Sequence, residues 1–353
     1  MSGYRIISII VLILLQWLSG CSTISYYSQS IQGHLEIMRK RVPIDTLLVN
    51  QTLPPDILAQ LAEVKGIRDF ASVELGLPEN NSYREYADIK RDYVAWNVFA
   101  TPELSLKSRQ WCYLFIGCVS YRGYFTKDAA SRYATSLEKK GYDVFTGGVT
   151  AYSTLGWFDD PVLNTMLRLN RVLLARTIFH ELAHQKLYVK NDTKFNEAFA
   201  DTVAAAGVKK WLDTRGTPAE KQAYNATKIH EDAFVNLVIQ YRDRLEIMYA
   251  SGLDDAEKRK RKYALLEEMK GAYQRLGATQ DDDTYAAWFA DRPNNANLVS
   301  VTIYRDYLPG FDKLLSACGD NLIRFYELVE QLRGCSKERR RNILLSGQTA
   351  FSC

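Results

Sequence analysis

The pentapeptide His180-Glu181-Leu182-Ala183-His184 combines two imidazoles and a carboxylate at a spacing that suits metal-dependent hydrolysis. Residues four apart lie on one face of a helix, so His180 and His184 can ligate a single Zn²⁺. Glu181, between them, is then placed to act as a general base on the attacking water. The alternative interpretation is an ordinary helix with two hydrogen-bonded histidines, and the surrounding residues decide between the two.

A third metal ligand follows the motif. A polar turn comes first, and Asp192 or Thr193 is a suitable N-cap for a second helix. Because each helical residue rises about 1.5 Å, a tight reversal between the two helices brings Glu197 level with His184. Catalytic zinc sites use three protein ligands and leave one position open. The pattern therefore predicts His180, His184 and Glu197 as the ligands.

Asp201 lies four residues after Glu197, on the same face of the second predicted helix. A carboxylate that accepts the outer N–H of a ligating histidine fixes the tautomer of that histidine and strengthens it as a ligand. We therefore expect Asp201 to orient His180. Without a metal site, Glu197 and Asp201 would instead form a solvated helix face.

The elements that position these residues are expected to be mainly helical. Asp159-Asp160-Pro161 is typical of a helix start, and the apolar residues that follow predict a buried helix with a break near Asn170. Helices are also predicted at 56–75, 83–99 and 127–140, and strands at 113–125 and 143–153. The last three segments predict a strand-helix-strand crossover. The expected fold class is α+β and predominantly α-helical, with a small β-sheet before the active-site helix.

The pentapeptide followed by Asn196-Glu197 and Asp201 resembles the gluzincin metallopeptidases, in which a glutamate on the following helix completes the zinc site. Longer stretches resemble a family of predicted bacterial aminopeptidases with a lipoprotein signal. These stretches are 26–29, 70–71, 74–78, 96–98, 111–112, 117–118, 121–125, 151–156 and 294–296. The resemblance implies a zincin-like core, a Zn²⁺ cofactor and peptide substrates. Glu197 follows His184 by only thirteen residues, a shorter interval than is usual in gluzincins, so the helical hairpin must be tight.

The resemblance also implies a substrate-binding edge strand about thirty residues before His180. Such a strand pairs with extended peptide through main-chain hydrogen bonds, and its glycines permit close backbone approach. The candidate residues are Gly148, Val149, Thr150, Ala151 and Tyr152. An ordinary buried strand with a bulge is the alternative.

Two further roles follow from the resemblance. Related aminopeptidases often carry a glutamate on the edge strand, where it binds the free amine of the substrate. This segment has no glutamate, and Glu103 is the candidate substitute. Exopeptidase and endopeptidase action therefore both remain open. The developing oxyanion also needs a hydrogen-bond donor. We prefer Tyr304, close after the asparagine-rich segment at 294–297. His230 is the alternative, although its charged surroundings are typical of an exposed helix face.

The N-terminus has the pattern of a bacterial lipoprotein precursor. Arg5 precedes the apolar run Ile6–Leu18, which is too short for an ordinary spanning helix. Leu18-Ser19-Gly20-Cys21 resembles a lipobox, so we expect residues 1–20 to be removed and Cys21 to be acylated. Ser22 then favours the outer membrane, with the protein facing the periplasm. An uncleaved anchor is the alternative.

Composition permits one large domain or two smaller ones. The chain has 353 residues, of which 47% are hydrophobic, and its 45 basic and 41 acidic side chains are too balanced to indicate nucleic-acid binding. We expect one metallopeptidase-like domain at 21–353, with possible parts at 21–105, 106–215 and 216–353. Basic runs at 257–262 and 337–341 could contact anionic lipid or form solvated helix faces.

The predicted export places the cysteines in an oxidising compartment, which favours disulfides. Cys112 and Cys118 lie six residues apart and are predicted to form a disulfide. Cys318, Cys335 and Cys353 cannot all pair with one another, so one of them is expected to be free.

Together these patterns predict a membrane-anchored zinc peptidase that is aminopeptidase-like by resemblance. Two alternatives remain. One is an envelope adaptor that keeps the zinc fold without catalysis, and the other is a zinc amidase that acts on cell-wall peptides.

Overall fold

Residues 24–113, 117–280, 285–289, 292–351 and 353 are described by the computed structural model of the chain. The predicted signal peptide and Cys21 lie outside these residues. Within the described ranges, no helix combines the length and the apolar composition that crossing a membrane requires.

Helices dominate the chain, and short strands lie between them. The helices are α1 (24–39), α2 (Ile44–Asn50), α3 (Pro55–Val73), α4 (Lys127–Glu138), α5 (Arg171–Lys186), α6 (Thr193–Arg215), α7 (Pro218–Ala250), α8 (Asp255–Gln280), α9 (Asn295–Thr302), α10 (Leu308–Ala317), α11 (Leu322–Gly334) and α12 (Lys337–Ser346). The strands are β1 (Val42–Pro43), β2 (Glu85–Ala87), β3 (Ala95–Pro102), β4 (Trp111–Tyr113), β5 (Gly117–Val119), β6 (Arg122–Tyr124), β7 (Tyr142–Val149) and β8 (Val162–Leu163). The fold is therefore α+β and mainly helical, as the sequence predicts.

One three-stranded sheet has the order β6-β3-β7, and β3 runs antiparallel to both neighbours. Strands β6 and β7 therefore run parallel to each other, and α4 connects them. This arrangement confirms the predicted strand-helix-strand crossover. A second sheet has the order β1-β2-β8.

The described cysteines form two disulfides. Cys112 faces Cys118 across the β4–β5 hairpin, and a disulfide joins them, as the sequence predicts. A second disulfide joins Cys335 to Cys353. Cys318 is the free thiol among the described cysteines, so one of the three C-terminal cysteines is unpaired as expected.

The helix predicted at residues 83–99 is wrong, because β2 and the first half of β3 occupy this segment. Val94, Ala95 and Val98 are all buried. Strand β3 lies between two strands and also contacts α4 and α9. A strand that is covered in this way carries apolar residues without a clean alternation, and such a run cannot be distinguished from a buried helix by its period alone.

The helix start predicted at residues 159–161 is also wrong. The carboxylate of Asp160 accepts hydrogen bonds from the Thr154 backbone N–H and from the Thr154 hydroxyl, each at 2.8 Å, and so closes a turn instead of capping a helix. Helix α5 begins later, at Arg171, where Asn170 Oδ1 accepts from the two backbone N–H groups at Val172 and Leu173. The expected break near Asn170 is thus the true N-cap.

The main hydrophobic core forms around α5 and α6. It includes Ile178, Phe179 and Leu182 of α5 and extends to side chains from Ile37 near one end of the described chain to Leu344 near the other. Close approach between the two central helices depends on Gly207, because a Cβ atom there would lie 2.8 Å from the Phe179 ring. Helix α5 is therefore held in the centre of the main core.

Each of the two basic runs contributes a cation to the interior. Lys262 Nζ lies 2.6 Å from Asp143 Oδ2, and Lys262 is only 1% exposed. Arg340 donates to Asp192 Oδ2 from two nitrogens at 3.0 and 2.8 Å. The second pair fixes α12 against Asp192, the N-cap residue of α6. These two cations are structural and do not face a lipid surface.

The Arg340–Asp192 pair leads to a prediction about stability. Arg340→Met leaves the Asp192 carboxylate buried without its cation, so the free energy of unfolding should fall by about 3–5 kcal/mol. Arg341→Met, which changes the exposed neighbour on the same helix, is the matched control. Chemical denaturation of both variants measures the difference. Equal stability of the two variants would contradict the structural role of the pair.

Candidate metal centre

Helix α5 presents three polar residues toward α6 at intervals of four: Arg176, His180 and His184. Their spacing places them on one face of the helix, while Ile178, Phe179, Leu182 and Ala183 of the same helix are buried in the core. The chain then reverses within the six residues between α5 and α6. A histidine face on α5 therefore meets the first two turns of α6.

The reversal between α5 and α6 is held by the side chain of Asn196. Its Oδ1 accepts from the Val189 backbone N–H at 2.7 Å, and its Nδ2 donates to the Val189 carbonyl at 2.8 Å. Asn196 is 1% exposed, so both hydrogen bonds are shielded from water. The residue after this amide clamp is Glu197, which is thereby fixed against α5.

The structure brings His180, His184 and Glu197 together, with their ligand atoms within 4.8 Å of one another. His180 Nε2 lies 3.1 Å from His184 Nε2. Glu197 Oε2 lies 3.4 Å from His180 Nε2 and 3.6 Å from His184 Nε2. Two imidazoles and a carboxylate that converge at these distances form a cluster that could bind a metal ion.

Asp201 lies behind His180, on the side away from the cluster. Its Oδ1 is 3.2 Å from His180 Nδ1 and 3.3 Å from Arg176 Nη2. Burial raises the pKa of Asp201, but the hydrogen bond from His180 and the charge of Arg176 outweigh burial and hold this pKa below its usual value. The carboxylate therefore stays ionised and directs His180 Nε2 toward the cluster.

His184 lacks a comparable support. Its Nδ1 atom is buried and has no hydrogen-bond partner in the described part of the chain. The two histidines are therefore held differently: a carboxylate orients His180, whereas packing in the core orients His184.

Glu181 lies beside the cluster and is half-buried. Its negative charge contributes to raising the pKa values of Tyr83, Tyr121 and Asp160, which places its carboxylate near all three side chains. Burial is the main cause of the raised pKa of Asp160, about 6. Within the described residues Glu181 makes no hydrogen bond, so its carboxylate is available for proton transfer.

Tyr304 also lies near the cluster. Burial and the charge of Glu197 raise its pKa well above the ordinary value for tyrosine. Its hydroxyl is buried and has no hydrogen-bond partner among the described residues. A buried hydroxyl without a hydrogen-bond partner lowers the stability of the folded protein, and it can donate a hydrogen bond to a ligand that supplies an acceptor.

Tyr121 borders the same carboxylates, and sequence reasoning missed it. Burial and the charges of Glu197 and Glu181 raise its pKa. Its ring packs against Phe99 of β3, with ring centroids 5.7 Å apart. Its position in the family-like stretch 121–125 was the available signal, but nothing in the sequence distinguishes it among 22 tyrosines.

The asparagine segment before Tyr304 fastens α9 to the sheet. Asn294 Nδ2 donates to the Val144 carbonyl of β7 at 2.9 Å, and Asn295 Nδ2 donates to the Glu103 carbonyl at 2.9 Å. Asn294 also caps α9 through its Oδ1 atom. These bonds set the start of the helix that leads to Tyr304.

Glu103 and His230 are the other sequence candidates. Glu103 Oε1 and Oε2 accept from Arg259 Nε at 3.0 and 2.9 Å, so its carboxylate is already paired on the surface and does not replace the missing glutamate of the edge strand. His230 lies half-buried on α7, beside Glu231, which pairs with Arg305.

Strand β7 lies at the edge of its sheet, next to β3. Of the predicted substrate-binding residues, Gly148 and Val149 belong to β7, while Thr150, Ala151 and Tyr152 follow its end. The space beside Gly148 is filled by the Tyr93 ring, which a Cβ atom would approach to 2.5 Å. Tyr93 packing therefore accounts for this glycine, in place of close approach by a ligand.

The fold and the cluster define an α+β, mainly helical protein with a His-His-Glu site that could bind a metal. A family model described as "Putative aminopeptidase" matches residues 25–344, and the chain belongs to this family. Membership indicates a peptidase. No curated protein and no solved structure gives a significant match to the chain.

The contact between Asp201 and His180 predicts that Asp201 affects metal affinity without contacting the metal itself. Asp201→Asn keeps the size of the side chain but removes the charge that orients His180, so affinity for a divalent metal should fall about 10–100-fold. Competition with a chromogenic chelator measures this affinity. Asp213 is an exposed residue of α6, the helix that also carries Asp201, and its carboxylate pairs with Lys221 of α7. The control variant Asp213→Asn should therefore bind metal like the parent protein. Parent-like affinity in Asp201→Asn would refute the orienting role.

Proposed function

We propose that the protein is a zinc-dependent peptidase, with His180, His184 and Glu197 as the metal ligands. The observation that carries the proposal is the triangle of ligand atoms, whose sides are 3.1, 3.4 and 3.6 Å. Tetrahedral zinc, at about 2.0–2.1 Å from each ligand atom, needs these atoms about 3.3–3.4 Å apart. The donor set of two imidazoles and one carboxylate is that of catalytic zinc in several peptidases.

The protein groups divide the chemistry among them. When bound, zinc supplies a Lewis acid for the scissile carbonyl and for the attacking water. Glu181 takes a proton from that water as it attacks and then delivers the proton to the leaving amine. The Tyr304 hydroxyl, which has no partner among the described residues, donates to the oxygen on which negative charge develops.

The edge of β7 supplies a binding place for an extended peptide. Alternate residues of a strand direct their N–H and C=O groups to opposite sides. The Val144 carbonyl accepts from Asn294 on the side away from β3, so Thr146 and Gly148 direct their backbone groups to that same side. A peptide that pairs there is held through its main chain, with little dependence on its side chains.

The sheet and the metal cluster are linked through aromatic side chains. Phe145 of β7 packs on Phe99 of β3 with centroids 6.2 Å apart, and Phe99 packs on Tyr121. Because Tyr121 lies near Glu181 and Glu197, the Phe145 face of the sheet is directed toward the metal ligands. This packing supports a substrate path from the strand edge to the metal.

The proposed location is the outer membrane, with the enzyme facing the periplasm. The lipobox-like Leu18-Ser19-Gly20-Cys21 supports acylation of Cys21. Several acyl chains, each contributing about 0.8 kcal/mol for every buried CH₂, would give a firm anchor. The disulfides Cys112–Cys118 and Cys335–Cys353 are consistent with an oxidising compartment.

The central test is a comparison of base and ligand variants. Glu181→Gln should keep its zinc and lose about 10²–10⁴-fold in peptide turnover, because it removes the base without removing a ligand. His180→Ala and Glu197→Ala should lose zinc. Zinc content by atomic emission and hydrolysis of a mixed peptide library measure the two effects.

The possible outcomes test the ligand assignment and distinguish this function from its alternatives. Glu197→Ala protein with parent-like zinc content would refute the ligand assignment. An absence of product from zinc-loaded parent protein, relative to Glu181→Gln, would favour a non-catalytic adaptor, and cleavage confined to cell-wall peptides would favour an amidase. Within the library, cleavage of free but not N-acetylated peptides would identify an aminopeptidase.

Tyr304→Phe provides a separate test of the oxyanion donor. The change should lower kcat about 10²–10³-fold, because one donor is lost, and should leave zinc content unchanged. Thermal stability should not decrease, since the lost hydroxyl has no partner in the described structure. Tyr121→Phe is the comparison, and a loss confined to Tyr121→Phe would transfer the role to that residue.

A further inference from the structure

Helix α1 has one face inside the protein and one face outside. The inner face consists of Tyr26, Ser30, Gly33 and Ile37, which recur at helical spacing and are buried or half-buried. The outer face carries Ile24, Tyr27, Ile31 and Leu35, which are 70%, 40%, 58% and 41% exposed. These four apolar side chains form a continuous stripe because their spacing is that of one helix face. We call it the α1 stripe.

The inner face is fixed, so the α1 stripe cannot turn inward. Gly33 lies so close to Phe125 that a Cβ atom would overlap the ring, and Gln29 Oε1 accepts from the Phe125 backbone N–H at 3.1 Å. The Arg122 guanidinium lies over the Tyr26 ring, 4.0 Å from its centroid. The exposure of the stripe is therefore set by the packing of α1.

Two more exposed aromatic residues extend the apolar surface beside α1. Phe158 packs on His34 of α1 with centroids 4.6 Å apart and is itself 52% exposed, and the adjacent Trp157 is 69% exposed. Residues 24–35 contain no aspartate, glutamate, lysine or arginine. An uncharged apolar surface of this kind marks an interaction site, because soluble surfaces seldom leave such patches uncovered.

We propose that the α1 stripe and the Trp157–Phe158 pair lie on the lipid bilayer, in the interface between headgroups and acyl chains. The inference rests on the proposed acylation of Cys21. Ile24 follows Cys21 by three residues, a reach of only about 10 Å in extended chain. Acyl chains in the membrane therefore hold the stripe next to the bilayer surface.

The composition of the surface fits this partner. Isoleucine and leucine side chains gain free energy by leaving water for the acyl boundary. Tyrosine and tryptophan favour the headgroup level, where the apolar ring and the polar group are both satisfied. The bilayer thus matches both the aliphatic centre of the surface and its aromatic margin.

The surface is coupled to the site by the segment that follows β7. Asp160, two residues after Phe158, lies near Glu181, because the charge of Glu181 contributes to raising the pKa of Asp160. A Cβ atom at Gly156 would contact Gln185 of α5 at 3.5 Å. The segment therefore connects the proposed membrane surface directly to the active-site helix, and the catalytic centre is expected to face substrates close to the bilayer.

The test uses the full chain, processed in bacteria and reconstituted in vesicles of phosphatidylethanolamine and phosphatidylglycerol. An environment-sensitive fluorescent amino acid is placed at position 31, or at position 247 as the matched control. Ile247 is a 74% exposed isoleucine on a different helix, α7. Lipids brominated near the headgroup serve as quenchers. Retained zinc content shows that each labelled protein is folded.

Emission from position 31 should shift to shorter wavelength in vesicles and be quenched several-fold more strongly than emission from position 247. If the chain sediments with vesicles but position 31 is quenched no more than position 247, the inference is overturned while the anchor stands. A chain that stays in the supernatant overturns both. A protected label at position 31 in a dimer isolated in detergent would assign the α1 stripe to a second copy of the chain and overturn the inference.

Discussion

The structure depends on the reversal between α5 and α6, which a single amide side chain holds. Asn196 satisfies both backbone groups of Val189, so the chain can turn through a short connection without leaving buried polar groups unpaired. The next residue is Glu197. It lies close to His180 and His184 because the first turns of α6 lie beside the last turns of α5. Without the hydrogen bonds of Asn196, this short connection would not fix the position of the Glu197 carboxylate.

Around this hairpin, the fold uses buried polar contacts to place groups that packing alone would leave free. Asp192 does not cap α6 with its side chain; its carboxylate instead pairs with Arg340 of α12. Asn294 and Asn295 connect α9 to the sheet and so bring Tyr304 near the His-His-Glu cluster. Each contact joins segments far apart in the sequence, and each is specific in direction as well as in distance.

The sequence predicts those parts of the site that depend on helix geometry. The spacing of His180 and His184 and the return of Glu197 need only a rise per residue and a tight turn, and the structure brings these residues together. Contacts between distant segments follow no such rule. Tyr121 reaches the cluster through the packing of a sheet. Residues 85–87 and 95–99 form strands, and the neighbours that cover β3 are not evident from the apolar pattern of the segment itself.

Two polar groups in and beside the His-His-Glu cluster receive no hydrogen bond from the described chain. The Tyr304 hydroxyl and His184 Nδ1 are buried without partners in the described chain, and each such group lowers the stability of the resting fold. A ligand that supplies the missing acceptor at Tyr304 would raise the free energy of unfolding as it binds, since ligand binding and folding are thermodynamically linked. Substitutions that gave these groups hydrogen-bond partners within the protein would raise the stability of the ligand-free fold. They would also occupy groups that a ligand could use, so the gain in stability would come at the expense of function.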